Sequence, residues 1–321
     1  MKPVCCAFLA FFAVAVAASA TAAERYALVV TGASGGPEYA QKYRQWRESF
    51  TTTLRVKFAY PPDHVTVLAE EEGAGVLKAT RENVRAALDS LRRRAKKDDI
   101  VLVLLIGHGT SDGEEAKFNL VGPDLSAAEW AALVKPLVGR VVFIDTSSGS
   151  FPFLSRISGP GRVVLTATDS AAQQFETVFP EFFVKAFDDA NADQDKNGKV
   201  SIWEAFSYAS AAVRQWYQEK GQLATERPLL DDTGSGIGRE AGSPGPDGAV
   251  AQVTYLQPEA PIQAPANSEL AGLLRRRAEL ESELELLKVR KATIPPGEYD
   301  ASLERLLLEI ARIDRQVRTK S

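Results

Sequence analysis

Apolar runs of five to seven residues recur along the first two thirds of the chain, and polar segments of helical period lie between them. "RYALVVTGASG" (25–35) is an apolar strand running into a glycine loop. A polar helix over 38–58 follows, then a second strand in "HVTVLAE" (64–70). "TRENVRAALDSLRRRAKKDD" (80–99) predicts a helix with Thr80 as N-cap and its arginines gathered at the C-terminal end, where the helix dipole favours cations. Ile100 to Ile106 is a third strand. A helix begins in "DLSAAEWAALVKPL", and Arg140–Thr146 and Arg162–Thr168 are two further strands. Strands alternating with helices imply a mostly parallel sheet with helices on both faces, and near-continuous Val/Leu/Ile runs are what strands buried on both sides require. The class is therefore α/β. "AVAQVTYLQ" (249–257) alternates weakly and predicts one more strand.

The periodicity changes twice outside that region. Residues 1–23 are one Lys, a long apolar run and small residues ending in Ala20-Thr21-Ala22, the pattern of a cleaved signal peptide. Residues 258–267, "PEAPIQAPAN", form a linker. From 268 to 321, Leu273, Leu280, Leu284 and Leu287 are followed, after a Pro-Pro-Gly turn, by Leu303, Leu306, Ile310, Ile313 and Val317. Two amphipathic helices joined by a tight turn make a coiled-coil-like helical hairpin, suited to packing on the parent domain, to self-association or to an unknown protein partner. The main domain is 24–257.

Charge and cysteine content narrow the function. A net charge of −4 gives no reason to expect nucleic acid. The expected leader implies export, to the periplasm or beyond the cell, with no membrane attachment after its removal. The two cysteines, Cys5 and Cys6, both lie in that leader, so a mature chain would have no disulfide, thiolate nucleophile or thiolate metal site.

"DQDKNGKVSIWE", Asp193 to Glu204, matches the twelve-residue calcium loop D-x-[DN]-x-[DN]-G-x₅-E. Asp193, Asp195 and Asn197 supply side-chain oxygens, and Gly198 permits the turn. Lys199 offers its carbonyl, Ser201 a direct or water-mediated oxygen, and Glu204 two oxygens. "EFFVKAFDDA" and "IWEAFSYASAAVRQWY" flank the loop as helices. The expected cofactor is Ca²⁺, bound with modest affinity because a partner hand is missing. "DDTGSGIG" (231–238) has too few carboxylates for a second loop and reads as a turn.

Functional residues of parallel sheets collect beyond the carboxyl ends of the strands. His108 in "VLVLLIGHGTSDG" and the segment "IDTSSGS" occupy that position. A strand ending in His-Gly, followed about forty residues later by a strand ending in Asp-x-Ser, resembles the caspase-like peptidases. The two segments are similar to the His-Gly segment and the nucleophile strand of legumain-type cysteine peptidases, most of all those of an exported bacterial branch. That resemblance implies a caspase-like sheet with His108 as the assisting base and backbone N–H groups near Gly109 as oxyanion donors. It departs where the family has cysteine: the matching position is Ser147, or Thr146 or Ser148 if the gap is shifted. A serine hydroxyl needs a strong base oriented by a third group, and none can be assigned. Ala40 stands where the family carries a specificity arginine, and Glu181 matches an acidic pocket position only loosely. The reading is an exported, calcium-binding, caspase/legumain-like domain that is catalytically silent and serves as scaffold or interaction module. The alternative is a hydrolase using Ser147 with His108 as general base. His64, at the opening of a strand, reads as a surface histidine. "GASGG" lacks the spacing and the lysine of a phosphate loop.

Overall fold

The computed structural model describes residues 23–112, 115–173, 175–258, scattered positions between 272 and 291, and 294–320. The leader, apart from Ala23, and the linker, apart from Pro258, lie outside the described residues.

Seven strands form one sheet in the order β10-β9-β8-β4-β1-β2-β3. These are β1 (Arg25–Thr31), β2 (Val65–Ala69), β3 (Leu77–Lys78), β4 (Ile100–Ile106), β8 (Arg140–Asp145), β9 (Arg162–Thr166) and β10 (Leu229–Asp231). All pairings are parallel except that of β10 with β9. β4 is central and every residue of it is buried. Its alternation divides the core into two layers. Leu102, Leu104 and Ile106 join the layer formed with α1 (Pro37–Thr52), α5 (Phe179–Ala186) and α6 (Ile202–Glu219). Val101, Val103 and Leu105 join the layer formed with α2 (Arg81–Arg94), α3 (Ala127–Val134) and α4 (Phe151–Ile157). Helices therefore cover both faces, as the apolar runs require.

Local chemistry sets the element ends. The Thr80 hydroxyl accepts the Asn83 N–H at the start of α2, and Ser126 with Glu129 forms a capping box on α3. The expected 38–58 helix is α-helical only to Thr52. Thr53–Lys57 is a π-helical turn, entered through three consecutive threonines whose branched side chains fit a helix poorly. His64 is not a free surface residue. Its Nδ1 lies 3.1 Å from the Arg25 carbonyl oxygen, and its ring packs on Tyr26 at 4.4 Å.

The strand expected at 249–257 is instead a helical turn, α7 (Ala249–Gln252), followed by a single antiparallel bridge between Tyr255 and Ser201. Gly248, at φ 104°, starts the turn, and the Asp232 carboxylate accepts the Gly248 and Ala251 N–H groups. Tertiary caps thus override a weak strand pattern. Asp231 holds the 231–238 turn by accepting the N–H groups of Thr233, Gly234 and Gly236.

A small antiparallel sheet that the pattern did not suggest follows β4: β5 (Gly109–Ser111), β6 (Ala116–Phe118) and β7 (Leu125–Ser126). In the C-terminal region, α8 (Pro296–Lys320) packs Leu306 and Ile313 against Leu280. Arg276 pairs with Glu309 and Arg277 with Asp314. Among the described residues no helix is long and apolar enough to cross a membrane.

Candidate functional site

β1, β4 and β8 lie side by side and deliver their following loops to one end of the sheet. Their close packing depends on glycine. A Cβ on Gly32 would lie 2.2 Å from the Asn119 carbonyl oxygen, and one on Gly109 would lie 2.5 Å from Ser147 Oγ and 2.9 Å from the Gly149 nitrogen. Only Gly permits the β4 loop to rest directly on the β8 loop.

His108 is half-buried among aromatic rings. Tyr39 meets it edge-on at 4.7 Å and Tyr43 at 5.5 Å. Its Nε2 lies 3.0 Å from the Ser34 carbonyl oxygen and 3.1 Å from the Tyr43 hydroxyl. A carbonyl only accepts, so the Ser34 contact places the proton on Nε2. The group behind the imidazole is thus a main-chain carbonyl with a phenol beside it, whereas a serine triad has a carboxylate there. Burial holds the Tyr43 hydroxyl well above its ordinary titration range.

The 145–150 segment is interior. Asp145, Thr146, Ser147 and Ser150 are all 0 % exposed, and its polar groups bond inward. Thr146 Oγ1 donates to the Leu105 carbonyl at 2.7 Å, Ser148 Oγ to the Gly109 carbonyl at 3.1 Å, and the Ala167 and Thr168 N–H groups donate to Ser150 Oγ. The Ser147 N–H donates to Asp145 Oδ1 at 2.9 Å. Ser147 Oγ has no hydrogen-bond partner among the described residues, and neither has Asp145 Oδ2. Burial pushes the Asp145 carboxyl up to about 6, against the lowering pull of Ser147. His108 and Ser147 stand on neighbouring loops without a hydrogen bond between them. Thr146 and Ser148, the other residues at the nucleophile position, are committed to carbonyl oxygens.

The remaining expectations at this end resolve simply. Ala40 borders a cavity beside Tyr43. Glu181 is exposed in the first turn of α5, next to a groove bordered by Lys42, Trp216 and Lys185. Three of the five N–H groups of the "GASGG" loop are bonded within the protein: Gly32 to Ile106, Ala33 to Asn119 and Ser34 to Glu70.

The 193–204 loop is built differently. Lys196 and Gly198 take left-handed conformations, at φ 59° and 84°. That folds the Asn197 and Gly198 N–H groups back onto Asp193 Oδ1 and Oδ2 at 3.1 and 3.0 Å. Glu204 is buried at the start of α6, forming a capping box with Ser201. Its Oε1 also accepts the Gln194 N–H at 2.8 Å. Asp193, Asp195 and Glu204 each bring a carboxylate oxygen within 4.8 Å of the others. Asn197 Oδ1 accepts the Lys199 N–H at 2.8 Å.

A feature the sequence did not announce closes the loop. Tyr255 bridges Ser201, its hydroxyl accepts from Asn197 Nδ2 at 3.1 Å, and the Ile202 N–H donates to the Thr254 carbonyl. The far side of the loop is thus held by a segment some fifty residues further along the same chain.

No protein-family model and no curated protein sequence matches the chain. Among solved structures it is similar to protein GSU0716 from Geobacter sulfurreducens, at 15 % identity and TM-score 0.42, over 65 % of this chain and 92 % of that one. It is also similar to drICE, at 11 % identity and TM-score 0.37, over 65 % and 87 %. A third likeness is to Raptor from Chaetomium thermophilum, at 11 % identity and TM-score 0.34, over 91 % of this chain and 25 % of that one.

Proposed function

We propose that this is an exported, calcium-binding domain of caspase/legumain-like descent, without peptidase chemistry, that acts as a scaffold or interaction module through its C-terminal hairpin. The observation that carries the calcium reading is the convergence of the Asp193, Asp195 and Glu204 carboxylates within 4.8 Å, in a loop whose backbone already turns at Lys196 and Gly198. Asn197, the Lys199 carbonyl and Ser201 complete an oxygen set of the kind Ca²⁺ prefers. Glu204 must exchange N–H partners for the ion, so affinity falls in the weaker range of extracellular modules, roughly 0.1–1 mM.

Silence as a peptidase rests on burial and pairing. Ser147 is closed under Gly109, His108 Nε2 faces the Ser34 carbonyl, and among the described residues no carboxylate bonds the imidazole.

Calorimetric titration of the chain with CaCl₂ tests the calcium half. Saturable binding that Glu204→Gln abolishes is expected, and no binding heat, or heat unchanged in that variant, refutes it. Peptide-amide libraries and a fluorophosphonate probe test the other half. Turnover or Ser147 labelling that is lost in both His108→Ala and Ser147→Ala would establish the hydrolase instead.

A further inference from the structure

Helix α8 carries two stripes of the same spacing. One packs with Leu280 and consists of Leu306, Ile310, Ile313 and Val317, at steps of four, three and four. The other begins two positions earlier and repeats those steps: Glu304, Leu308, Ala311 and Arg315. Two residues turn an α-helix by about 200°, so the second stripe lies on nearly the opposite side. All four of its residues are exposed. Leu308 is 51 % exposed, and Leu307 beside it 49 %. With Asp300, Leu303 and Glu304 these two leucines border one shallow hollow.

The order of side chains along the outer stripe points to its partner. From the N-terminal end it runs acid, large apolar, small apolar, base. Such a stripe is complementary to its own reverse. Two copies of α8 lying antiparallel about a twofold axis between Glu309 and Ile310 set Glu304 opposite the other copy's Arg315, and Leu308 opposite the other copy's Ala311. Symmetry makes each pair occur twice. Steps of four and three are those of a coiled-coil seam, and a large side chain opposite a small one lets the layers interdigitate. A parallel pairing would set acid on acid and base on base. The charges are also free to pair. Among the described residues neither Glu304 nor Arg315 has an ion-pair partner, whereas Arg305, Glu309 and Asp314 are paired within the chain.

From the charge order and the exposed leucines together, we infer that the outer stripe of α8 is a self-association surface, and that its occupant is the same stripe of a second copy in antiparallel register. The inference deepens the reading of the C-terminal hairpin as an interaction module and rests on it. At 1.5 Å per residue the seam from Glu304 to Arg315 is only about 17 Å long. A contact that short is small beside a standard protein interface, so the dimer is one that dissociates on dilution.

Sedimentation equilibrium of the full chain, from about 5 μM to about 1 mM, reads the association. Monomer at the low end and a mass rising towards the dimer at the high end are expected. Glu304→Arg and Arg315→Glu should each weaken association at least about tenfold, because each sets like charges opposite one another. Both residues are exposed, so the variants keep the fold. The double variant restores opposite charges across an antiparallel seam and should recover the association, as should an equal mixture of the two single variants. A chain that stays monomeric throughout overturns the inference and leaves the hairpin to a foreign partner. A dimer unmoved by the single swaps, or a double variant no better than either single one, also overturns it. Association that survives Leu306→Asp as well, where the packing on Leu280 is broken, would lie outside the hairpin and remove the interaction-module reading with it.

Discussion

Two polar loops lie close to the ends of core elements, and they treat their oxygens in opposite ways. In 145–150 the hydroxyls and the carboxylate are sealed from water, and most are bonded to neighbouring carbonyls or amides. In 193–204 Asp195 and Asn197 stay exposed, and three carboxylates bring oxygens within 4.8 Å of one another. The first loop resembles a catalytic segment but is built as a core contact. The second has no catalytic appearance, yet keeps its like charges close together, an arrangement that costs energy unless a cation relieves it. Position beyond a strand end suggests chemistry. Access and unfinished charge balance decide it.

The largest test of the contrast is pH. Burial raises the Asp145 carboxyl from 3.8 to about 6 in the folded chain. A folded value above the unfolded one means a stabilising contribution that is whole below about pH 4 and lost as pH rises through 6. Glu226, buried against the first N–H groups of α5, is likewise raised to about 7 and adds the same sign. Asp145→Asn keeps an acceptor for the Ser147 N–H and removes the charge. Urea unfolding at pH 8 should find this variant more stable than wild type by about 2–3 kcal/mol, and the difference should vanish near pH 4. An exposed, freely solvated Asp145 would give no such difference.

Overpacking comes next. Gly109→Ala should cost about 1–3 kcal/mol, because the new methyl meets Ser147 Oγ and the Gly149 backbone. Adding Ser147→Gly should recover part of that loss, and strict additivity in the double-mutant cycle would argue that the two loops do not touch. In the calcium loop, Glu204→Gln should weaken Ca²⁺ binding at least about tenfold, some 1.4 kcal/mol, measured by calorimetry. It should leave the 145–150 loop unchanged. Smallest is the gain in stability from the ion itself. At a Ca²⁺ concentration tenfold above Kd the chain should gain about 1.4 kcal/mol, read as a raised Tm that Glu204→Gln lacks.

What could be read from the sequence follows the range of the interactions involved. The parallel sheet was legible because continuous runs such as Ile100–Ile106 suit burial on both faces. The turn at 193–204 and the nearness of its carboxylates were legible because the residues that make them lie within twelve positions of one another. The β5–β7 sheet was not, since Thr110, Ser111 and Lys117 give a short polar stretch whose pairing depends on a partner strand. Alternation in 249–257 suggested a strand, but Asp232, far back in the chain, imposes a helical turn there. His108 stood out at a strand end, while its partners Ser34 and Tyr43 come from another loop and a helix.

The contact of Tyr255 with the 193–204 loop has a consequence for the order of events. Asn197 and Tyr255 are 58 positions apart, and a ribosome delivers them in that order. The sheet strands from β1 to β9 are complete before the loop begins, but the loop cannot take its closed form until residue 255 has appeared. Closure therefore waits on residue 255, and the same contact ties residues 254 and 255 to the start of α6. A chain truncated just before that tyrosine would keep every residue of the twelve-residue motif and still lack the loop's clasp.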